Sequence, residues 1–295
     1  MWKKVAIGSA AVYAGYLALA ERKQTLGPSP QGRKRCIFVT GAASGIGEKT
    51  VQYFIERGWF VGAYDINIEK LRSLYGSLGN DTVCFFRLDV TDGESCEECI
   101  SHFMEKTNGC FDVLFNCAGL LVHAPFEDTP LEKLIAMVRV NIEGVIQLTH
   151  MALPSLKKTA DSRVITMASL AAIGGIPREA VYSATKTFVY SWTESMRTEM
   201  HSQVRFADVS VSYVDTPMVR TQEQSQYTDA VKPELKNITA DMVVQKVWQA
   251  VHECDFYNEH FYVNNCDRIF SLNHITRAFK IPFSAWYLKK MLWDK

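Results

Sequence analysis

The chain has 295 residues, of which 47% are hydrophobic, which is enough for one large α/β domain with additions at the termini. Thirty-two basic residues balance thirty-two acidic ones, and the body of the chain has no basic run with interleaved aromatic residues. Nucleic acid is therefore not expected as a partner. The eight cysteines form no regular framework, which favours reduced thiols over a disulfide scaffold or a metal site.

An uncharged run from Val5 to Ala20 lies near the N-terminus, between two lysines and the segment Glu21-Arg22-Lys23. It predicts a membrane anchor over residues 1–23, although a span usually needs about 20 apolar residues. A helix packed on a membrane surface or a partner, and a signal peptide cleaved after Ala20, are the alternatives. Lys and Arg are more numerous after the run, which favours a catalytic body facing the cytosol, at the endoplasmic reticulum or a lipid droplet in a eukaryote. Residues 24–34 are predicted to be a linker.

A short buried strand is predicted at residues 36–39, followed by a glycine-rich turn from Thr40 to Gly47 and a helix from Glu48 to Arg57. Glycines here let the backbone approach a pyrophosphate at the helix N-terminus, where free N–H groups favour anions. The candidate cofactor-binding residues of this turn are Gly41, Ser44, Gly45, Ile46 and Gly47.

A second strand, residues 60–64, ends at Asp65, which stands twenty-four residues after Gly41. That is where a carboxylate that binds the adenosine ribose belongs. Such a carboxylate repels a 2′-phosphate, and neither the glycine turn nor the residues just after Asp65 contain Arg or Lys. The sequence therefore favours NAD over NADP.

The alternation continues with a helix at residues 68–78, a strand at 83–86 and a fourth strand at 112–115. Asp89 and Val90 follow the third strand, so Asp89 either receives the adenine amino group or caps the next helix at Thr91. Asn116-Cys117-Ala118-Gly119 follows the fourth strand. Its small residues allow the chain to pass close to a cofactor ribose, which makes Asn116, Ala118 and Gly119 further candidates.

Beyond the fourth strand, an apolar loop at residues 120–126 occupies the place where substrate loops emerge. Its His123 either contacts substrate or is incidental. In a predicted helix from Leu131 to Lys157, the polar Asn141 must hydrogen-bond a neighbouring backbone or hold a water, because a buried unsatisfied amide is costly. A fifth strand, residues 163–167, leads to Ser169.

Tyr182 and Lys186 are four residues apart, so a helix would present both to one pocket. A cation ~4 Å from the phenol, at an effective dielectric of ~20, is worth about 4 kcal/mol, or roughly three pKa units. We therefore expect Lys186 to lower the pKa of Tyr182 so that the phenol exchanges protons near neutral pH. Ser169, thirteen residues earlier, is expected to face the same cleft.

Taken in this order, the motifs resemble those of the short-chain dehydrogenase/reductase family over roughly residues 35–264. The resemblance implies a doubly wound Rossmann fold, with a parallel sheet of about seven strands, over residues 35–266. It also implies a homodimer or homotetramer. An N-terminal apolar helix and a C-terminal amphipathic tail at residues 267–295 would flank this domain, the tail packing on a membrane interface, on the core or on another subunit.

The resemblance also assigns roles to particular residues. Tyr182 would be the general acid/base, and Ser169 would hydrogen-bond the substrate oxygen. Lys186 would lower the pKa of the tyrosine and bind the nicotinamide ribose, and Asn141 would hold the water of a proton relay. Val214 and Thr216 would meet the nicotinamide carboxamide.

Two departures from the family pattern stand out. Cys117 replaces a second Asn, and Val211-Ser212 replaces the usual Pro-Gly, which puts the backbone path and the substrate-side wall in question. Residues 217–236 are predicted to be a polar, mobile lid. A helix at 239–252 and a last strand at 261–263 complete the domain.

The function expected from the sequence is that of a membrane-associated, NAD-dependent oxidoreductase that interconverts a lipophilic alcohol with its ketone or aldehyde. The apolar loops at residues 120–126 and 170–177 favour a steroid, retinoid or fatty alcohol. The alternatives are an NADPH-dependent carbonyl reductase and a catalytically silent nucleotide-binding scaffold on a membrane or lipid droplet.

Overall fold

The computed structural model describes residues 26–27, 32–200, 203–223, 238–254 and 260–263. The predicted anchor at residues 1–23, the tail at 267–295 and most of the predicted lid lie outside these ranges. Among the described helices, none combines the length and the apolar character that crossing a membrane requires.

Seven strands form one parallel sheet in the order β3-β2-β1-β4-β5-β6-β7. The order reverses between β1 and β4, which creates the crevice where open α/β sheets bind ligands. This confirms the predicted seven-stranded Rossmann sheet. The strands are β1 (Cys36–Thr40), β2 (Phe60–Asp65), β3 (Val83–Arg87), β4 (Val113–Asn116), β5 (Arg163–Met167), β6 (Arg205–Ser210) and β7 (His260–Tyr262).

Helices cover both faces of the sheet. Alternate residues of β1 point to opposite sides, Ile37 and Val39 into one apolar core and Cys36 and Phe38 into the other. The described helices are α1 (Gly45–Glu56), α2 (Ile68–Tyr75), α3 (Gly93–Lys106), α4 (Leu131–Val138), α5 (Gly144–Lys158), α6 (Ala180–Met200), α7 (Pro217–Glu223) and α8 (Ala240–Glu253). Helices α1, α2 and α8 pack on the first core, and α3, α5 and α6 on the second.

Two predicted boundaries differ from the structure for identifiable reasons. The helix predicted from Leu131 to Lys157 is interrupted by a π-helical segment, Arg139–Glu143, between α4 and α5. Asp112, predicted as the first residue of the fourth strand, lies just before β4, and its buried carboxylate accepts hydrogen bonds from Arg33, Arg35 and the Cys36 backbone.

The N-terminal side of the domain is held at the edge of the sheet where the strands begin. The Leu26 backbone N–H donates to the carbonyl oxygen of His252 near the end of α8, at 2.8 Å. The Arg35 guanidinium, just before β1, donates to the Gly27 carbonyl oxygen at 2.8 Å. The first described residues therefore lie at the amino-terminal edge of the sheet.

Candidate active site

A cleft of about 340 Å³ opens at the carboxyl ends of β1, β2 and β4, beside the reversal in strand order. We call it the glycine-turn cleft. Most of the predicted cofactor residues line it: Gly41, Ser44, Gly45, Ile46, Gly47, Asp65, Asp89, Val90, Ala118, Gly119 and Thr216.

The shape of the turn depends on its glycines. Gly41 and Gly45 have φ values of +68° and +53°, a region that L-residues rarely adopt. A Cβ on Gly41 would lie 3.0 Å from the Ala118 Cα, and one on Gly47 would collide with the Gly41 carbonyl oxygen. Ser44 precedes α1 and, within the described part of the chain, its side chain caps no backbone N–H. The turn thus presents the N-terminus of α1 to the cleft, as anion binding requires.

Asp65 braces the turn from the end of β2. Its carboxylate accepts hydrogen bonds from the backbone N–H groups of Ala43 at 3.0 Å and Asn67 at 2.9 Å. It also lines the cleft, and none of the described residues that line this cleft is a lysine or an arginine. The electrostatic basis of the expected NAD preference is thus present in the fold.

Two of the predicted cofactor residues form hydrogen bonds within the protein, and only one of them also lines the cleft. Asp89 lines the cleft while its Oδ1 accepts hydrogen bonds from the Thr91 backbone N–H and hydroxyl, and Asp92 caps α3. Asn116 is buried, and its amide donates to Thr149 Oγ1 at 3.2 Å. The structure does not bring the Asn116 side chain into the cleft lining.

A second cavity, of about 110 Å³, adjoins this cleft, and we call it the tyrosine cavity. Ser169, Tyr182 and Lys186 all line it, together with the predicted carboxamide contacts Val214 and Thr216. The two cavities share lining residues, namely Ile46, Cys117, Gly119, Leu120, Thr216 and Met218. A molecule in the glycine-turn cleft can therefore reach the groups around Tyr182.

The electrostatics of the tyrosine differ from expectation. Burial raises the pKa of the Tyr182 phenol, and the nearby Glu179 carboxylate raises it further, whereas a hydrogen bond with Ser169 opposes the change. Lys186 Nζ lies 5.7 Å from the centroid of the tyrosine ring and donates to the Met167 carbonyl oxygen at 2.8 Å. Lys186 is not among the groups that shift the pKa of Tyr182 in this arrangement, so its expected lowering of that pKa stays a prediction.

Lys186 itself is strongly affected by its surroundings. Its side chain is buried, which disfavours the charged form and lowers the pKa of the ammonium to about 8. An ammonium with this pKa lies close to its titration point at physiological pH.

Asn141 adopts the first of its two predicted alternatives, because its amide pairs with a neighbouring backbone. Its Oδ1 accepts from the Leu120 N–H at 2.8 Å, and its Nδ2 donates to the Leu120 carbonyl and to Thr185 Oγ1 at 2.9 and 3.0 Å. Both amide protons are thus used, inside a π-helical segment of the kind that often marks functional sites. Asn141 lines neither cavity but braces Thr185, the residue before Lys186.

A network that the sequence did not predict lies beside Tyr182. Glu179 Oε1 accepts hydrogen bonds from the Tyr213 hydroxyl at 3.0 Å and pairs with His123 Nδ1 at 2.9 Å. Glu179 is 3% exposed and His123 5% exposed. The available signal was the position of Glu179, three residues before Tyr182, which is the spacing of neighbours on a helix surface.

The wall of the tyrosine cavity at Val211-Ser212 is well defined although it lacks the Pro-Gly of the family. The Val211 carbonyl accepts hydrogen bonds from the Leu170 N–H at 2.9 Å and Ser169 Oγ at 3.4 Å. The described non-glycine residues with positive φ are Asn108, Asp161 and Arg178, so Ser212 follows a backbone path open to any L-residue. Most of the remaining lining is apolar and includes Leu120, Leu121, Leu170, Ile176, Met218 and Val219.

Part of the predicted lid is ordered as α7, and it is tied to the apolar loop at residues 120–126. The Gln222 side chain donates to the Leu121 carbonyl at 3.1 Å and accepts from the His123 N–H at 2.9 Å.

Within the described ranges, no group of three or more His, Cys, Asp or Glu side chains is placed to hold a metal ion. The seven described cysteines form no disulfide with one another.

A family model described as short chain dehydrogenase matches residues 35–227. The chain belongs to the short-chain dehydrogenase family. It is 30% identical over 215 residues to an uncharacterized oxidoreductase of Staphylococcus aureus, an alignment that covers 72% of this chain and 91% of that protein. It is 32% identical over 225 residues to serine 3-dehydrogenase of Rhizobium radiobacter, covering 72% and 87% of the two chains.

Solved structures of this family share the fold. A short-chain dehydrogenase/reductase of Brucella melitensis, described as a glucose/ribitol dehydrogenase, superposes with a TM-score of 0.71 at 26% identity, covering 79% of this chain and 96% of that one. The closed form of serine dehydrogenase complexed with NADP+ gives 0.65 at 27% identity, covering 73% and 88%. A 3-ketoacyl-(acyl-carrier-protein) reductase from Brucella melitensis, complexed with NADH, gives 0.66 at 24% identity, covering 74% and 91%.

The structural neighbours thus include complexes with both nicotinamide dinucleotides. The family match makes this short-chain dehydrogenase an NAD(P)-dependent oxidoreductase that acts on CH–OH groups.

Proposed function

We propose that the protein is an NAD-dependent oxidoreductase that interconverts a lipophilic alcohol and its ketone or aldehyde. The observation that carries this proposal is that Ser169, Tyr182 and Lys186 line one mainly apolar cavity that is continuous with the glycine-turn cleft. An apolar substrate bound there would have its oxygen beside a phenol, a hydroxyl and an ammonium.

In this proposal, a bound nicotinamide exchanges a hydride with the carbinol carbon. Ser169 would hold the substrate oxygen, and Tyr182 would exchange the hydroxyl proton with it. Because burial and Glu179 raise the pKa of Tyr182, its phenol is neutral, which is the form that donates a proton to a carbonyl oxygen. Lys186 would bind the ribose next to the nicotinamide and supply positive charge when the phenol ionises.

Asn141 would support this chemistry by position. Its amide protons bond to Leu120 and Thr185, so the side chain links the loop above the cavity to the helix that carries Lys186. A relay water near Lys186 would then hydrogen-bond to a main-chain carbonyl of the π-helical segment and not to the side-chain amide of Asn141.

The preference for NAD rests on the Asp65 carboxylate at the glycine-turn cleft. Replacing Asp65 with Ala should relax the discrimination against NADPH, because it removes the charge that repels a 2′-phosphate. The kcat/KM values for NADH and NADPH are to be compared in the two proteins. A wild-type enzyme that already prefers NADPH would contradict this reasoning and support the NADPH-dependent carbonyl reductase.

The proposed activity is tested with a panel of lipophilic alcohols and ketones, followed by the absorbance of NADH. Tyr182→Phe keeps the aromatic ring and removes the proton donor, so we expect turnover to fall to background. Tyr53→Phe, on α1 away from both cavities, is the matched control. Turnover that survives in Tyr182→Phe would refute the assignment, and tight NADH binding without any turnover would favour the silent scaffold.

We also propose a homodimer or homotetramer. Family members are typically oligomeric, and α4 and α5 expose the large apolar side chains of Leu131, Ile135 and Ile146. Light scattering on the full chain tests this, with Ile135→Glu expected to shift the assembly toward the monomer.

Membrane association through residues 1–23, with the catalytic body facing the cytosol at the endoplasmic reticulum or a lipid droplet, is proposed from the sequence. The test is alkaline extraction of membranes that contain the full chain or a chain lacking residues 1–23. Release of the full chain into the supernatant would contradict the anchor.

A further inference from the structure

A buried carboxylate borders the substrate side of the tyrosine cavity. Glu179 is 3% exposed, and its Oε1 is held by the Tyr213 hydroxyl at 3.0 Å and His123 Nδ1 at 2.9 Å. No described residue donates a hydrogen bond to the second oxygen, Oε2. Glu179 lines the mainly apolar cavity, and its Oε2 is not one of the buried side-chain atoms that lack a partner, so this oxygen is accessible from the cavity.

Burying a carboxylate without full hydrogen bonding costs several kcal/mol, so its presence calls for a reason. One possible reason is to fasten the loop at residues 120–126 to the start of α6. That link is already made by the backbone, since the Ala124 N–H donates to the Arg178 carbonyl at 3.0 Å. A fastening role also uses only Oε1 and leaves Oε2 unexplained.

The cations nearby do not account for the second oxygen either. Lys186 lines the same cavity, but its Nζ donates to the Met167 carbonyl at 2.8 Å. The His123 ring is engaged with Oε1 through Nδ1, and its Nε2 is buried without a partner among the described residues. Oε2 is therefore available to a donor that enters the cavity, which is water in the empty site and a polar group of the substrate in the occupied one.

The spacing along the chain sets where that donor would lie. The Ser183 N–H bonds to the Glu179 carbonyl at 2.7 Å, so the helical turn before Tyr182 already includes Glu179. Side chains three apart on a helix have Cβ atoms roughly 5–6 Å from each other. A donor bound by Glu179 would therefore lie close to the oxygen held by Tyr182.

We propose that Glu179 determines specificity by binding a hydroxyl or protonated amine that the substrate carries next to the reacting carbon. This inference rests on the proposed oxidoreductase function of the same cavity and narrows its substrate class to apolar-chain diols and amino alcohols, with the corresponding hydroxyketones and aminoketones. The reaction balances when the phenol of Tyr182 has first released its proton to solvent: the carbinol C–H then gives a hydride to the nicotinamide, and the O–H proton goes to the Tyr182 phenolate. The neighbouring hydroxyl or amine of the substrate binds to Glu179 and does not react.

The test compares three substrates of equal chain length, 2-octanol, 1,2-octanediol and 1-amino-2-octanol, each oxidised at C2 with NAD and with NADP. A site that pairs a substrate hydroxyl or amine can discriminate by up to about 10⁴-fold, and we expect at least roughly tenfold higher kcat/KM for a compound with the second donor. A preference for the diol or for the amine identifies which donor the site takes, and either supports the proposal.

Glu179→Gln keeps the size of the side chain and removes its charge. The preference should collapse toward unity, mainly through a higher KM for the donor-bearing substrate, whereas the effect of the lost charge on Tyr182 acts on all three substrates alike and cancels in the ratio. Glu127→Gln, on the exposed part of the loop, is the matched control and should behave as the wild type. Because the ratio is measured within one protein sample, partial loss of folded enzyme does not alter it.

Equal kcat/KM values for the three substrates in the wild type would overturn the proposal without any variant. A preference that survives Glu179→Gln would overturn it as well. Absence of turnover for every compound would count against the oxidoreductase function itself, and binding by calorimetry in the presence of NADH would then decide this inference separately. Equal affinity for 1-amino-2-octanol, 1,2-octanediol and 2-octanol in that experiment would overturn it.

Discussion

Replacing Lys186 with Met should make the protein more stable at pH 7 while abolishing its activity. The ammonium is buried beside Tyr182 and has one described hydrogen bond, to the Met167 carbonyl at 2.8 Å. Methionine fills a similar volume and carries no charge, so the variant removes the penalty of burying a cation. Function and stability are thus expected to change in opposite directions at one residue.

The magnitude follows from the pKa of the ammonium, which burial lowers from 10.5 to about 8. At about 1.4 kcal/mol per pKa unit, the folded state carries a penalty of about 3 kcal/mol when the group is protonated. Losing the hydrogen bond to Met167 costs about 1 kcal/mol. We therefore expect Lys186→Met to raise the free energy of unfolding at pH 7 by about 2 kcal/mol.

The pH dependence gives the sharper test. Below about pH 8 the lysine is protonated in both states and the folded state bears the full penalty. Between pH 8 and 10.5 the unfolded chain binds a proton that the folded chain does not, so the stability of the wild type rises with pH relative to the variant. The advantage of Lys186→Met should accordingly shrink across this window and become a deficit of about 1 kcal/mol above it, where only the lost hydrogen bond to Met167 remains.

Urea unfolding followed by tryptophan fluorescence, at several pH values from 7 to about 10.5, measures this difference. Lys70→Met on the exposed surface of α2 is the control and should show neither the gain nor its pH dependence. A loss of stability in Lys186→Met at pH 7, or a difference that does not vary with pH, would refute the reasoning.

Three further predictions concern the turn, the π-helical segment and the buried ion pair. Gly47→Ala places a methyl group against the Gly41 carbonyl oxygen, and the resulting overpacking should weaken NADH binding by about 1–3 kcal/mol in calorimetry, with unchanged affinity contradicting the tight turn. Asn141→Ala leaves the Leu120 N–H and carbonyl without their partner and should lower the free energy of unfolding by about 3 kcal/mol; a change below 1 kcal/mol would show that the bracing is unimportant. Burial alone would raise the pKa of Asp112, but hydrogen bonds from Arg33 and the Cys36 backbone outweigh it and hold that pKa below 3.8. Asp112→Asn should therefore lower the free energy of unfolding, measured with denaturant, by about 3 kcal/mol at pH 7. The difference in stability between wild type and variant should diminish as acid protonates the wild-type carboxylate, and a constant difference down to pH 2 would contradict this.

The fold was predictable because the sequence patterns that indicate its strands and its glycine turn are local. The strand predicted at residues 163–167 coincides with β5, and the glycine turn follows β1 as expected. Strand residues buried on both faces form short continuous apolar runs, and turns that need positive φ require glycine, so both features are visible in sequence.

The parts of the site that sequence did not predict depend on contacts between distant segments. His123 and Glu179 are 56 residues apart and meet only because two loops cross above β4 and β5. The pKa of Tyr182 is raised mainly because the phenol is buried, and its burial cannot be deduced from the four-residue spacing to Lys186. Asn116 has the residue type and position of a cofactor contact, yet its side-chain amide donates a hydrogen bond to Thr149 on α5.

The hydrogen bond from Leu26 to His252 holds the first described residues against the end of α8. That bond lies at the amino-terminal edge of the sheet, whereas both cavities open at the carboxyl edge. The contact made by Leu26 and the entrance to the tyrosine cavity therefore lie at opposite edges of the sheet, so the site can bind or release a molecule without disturbing that contact.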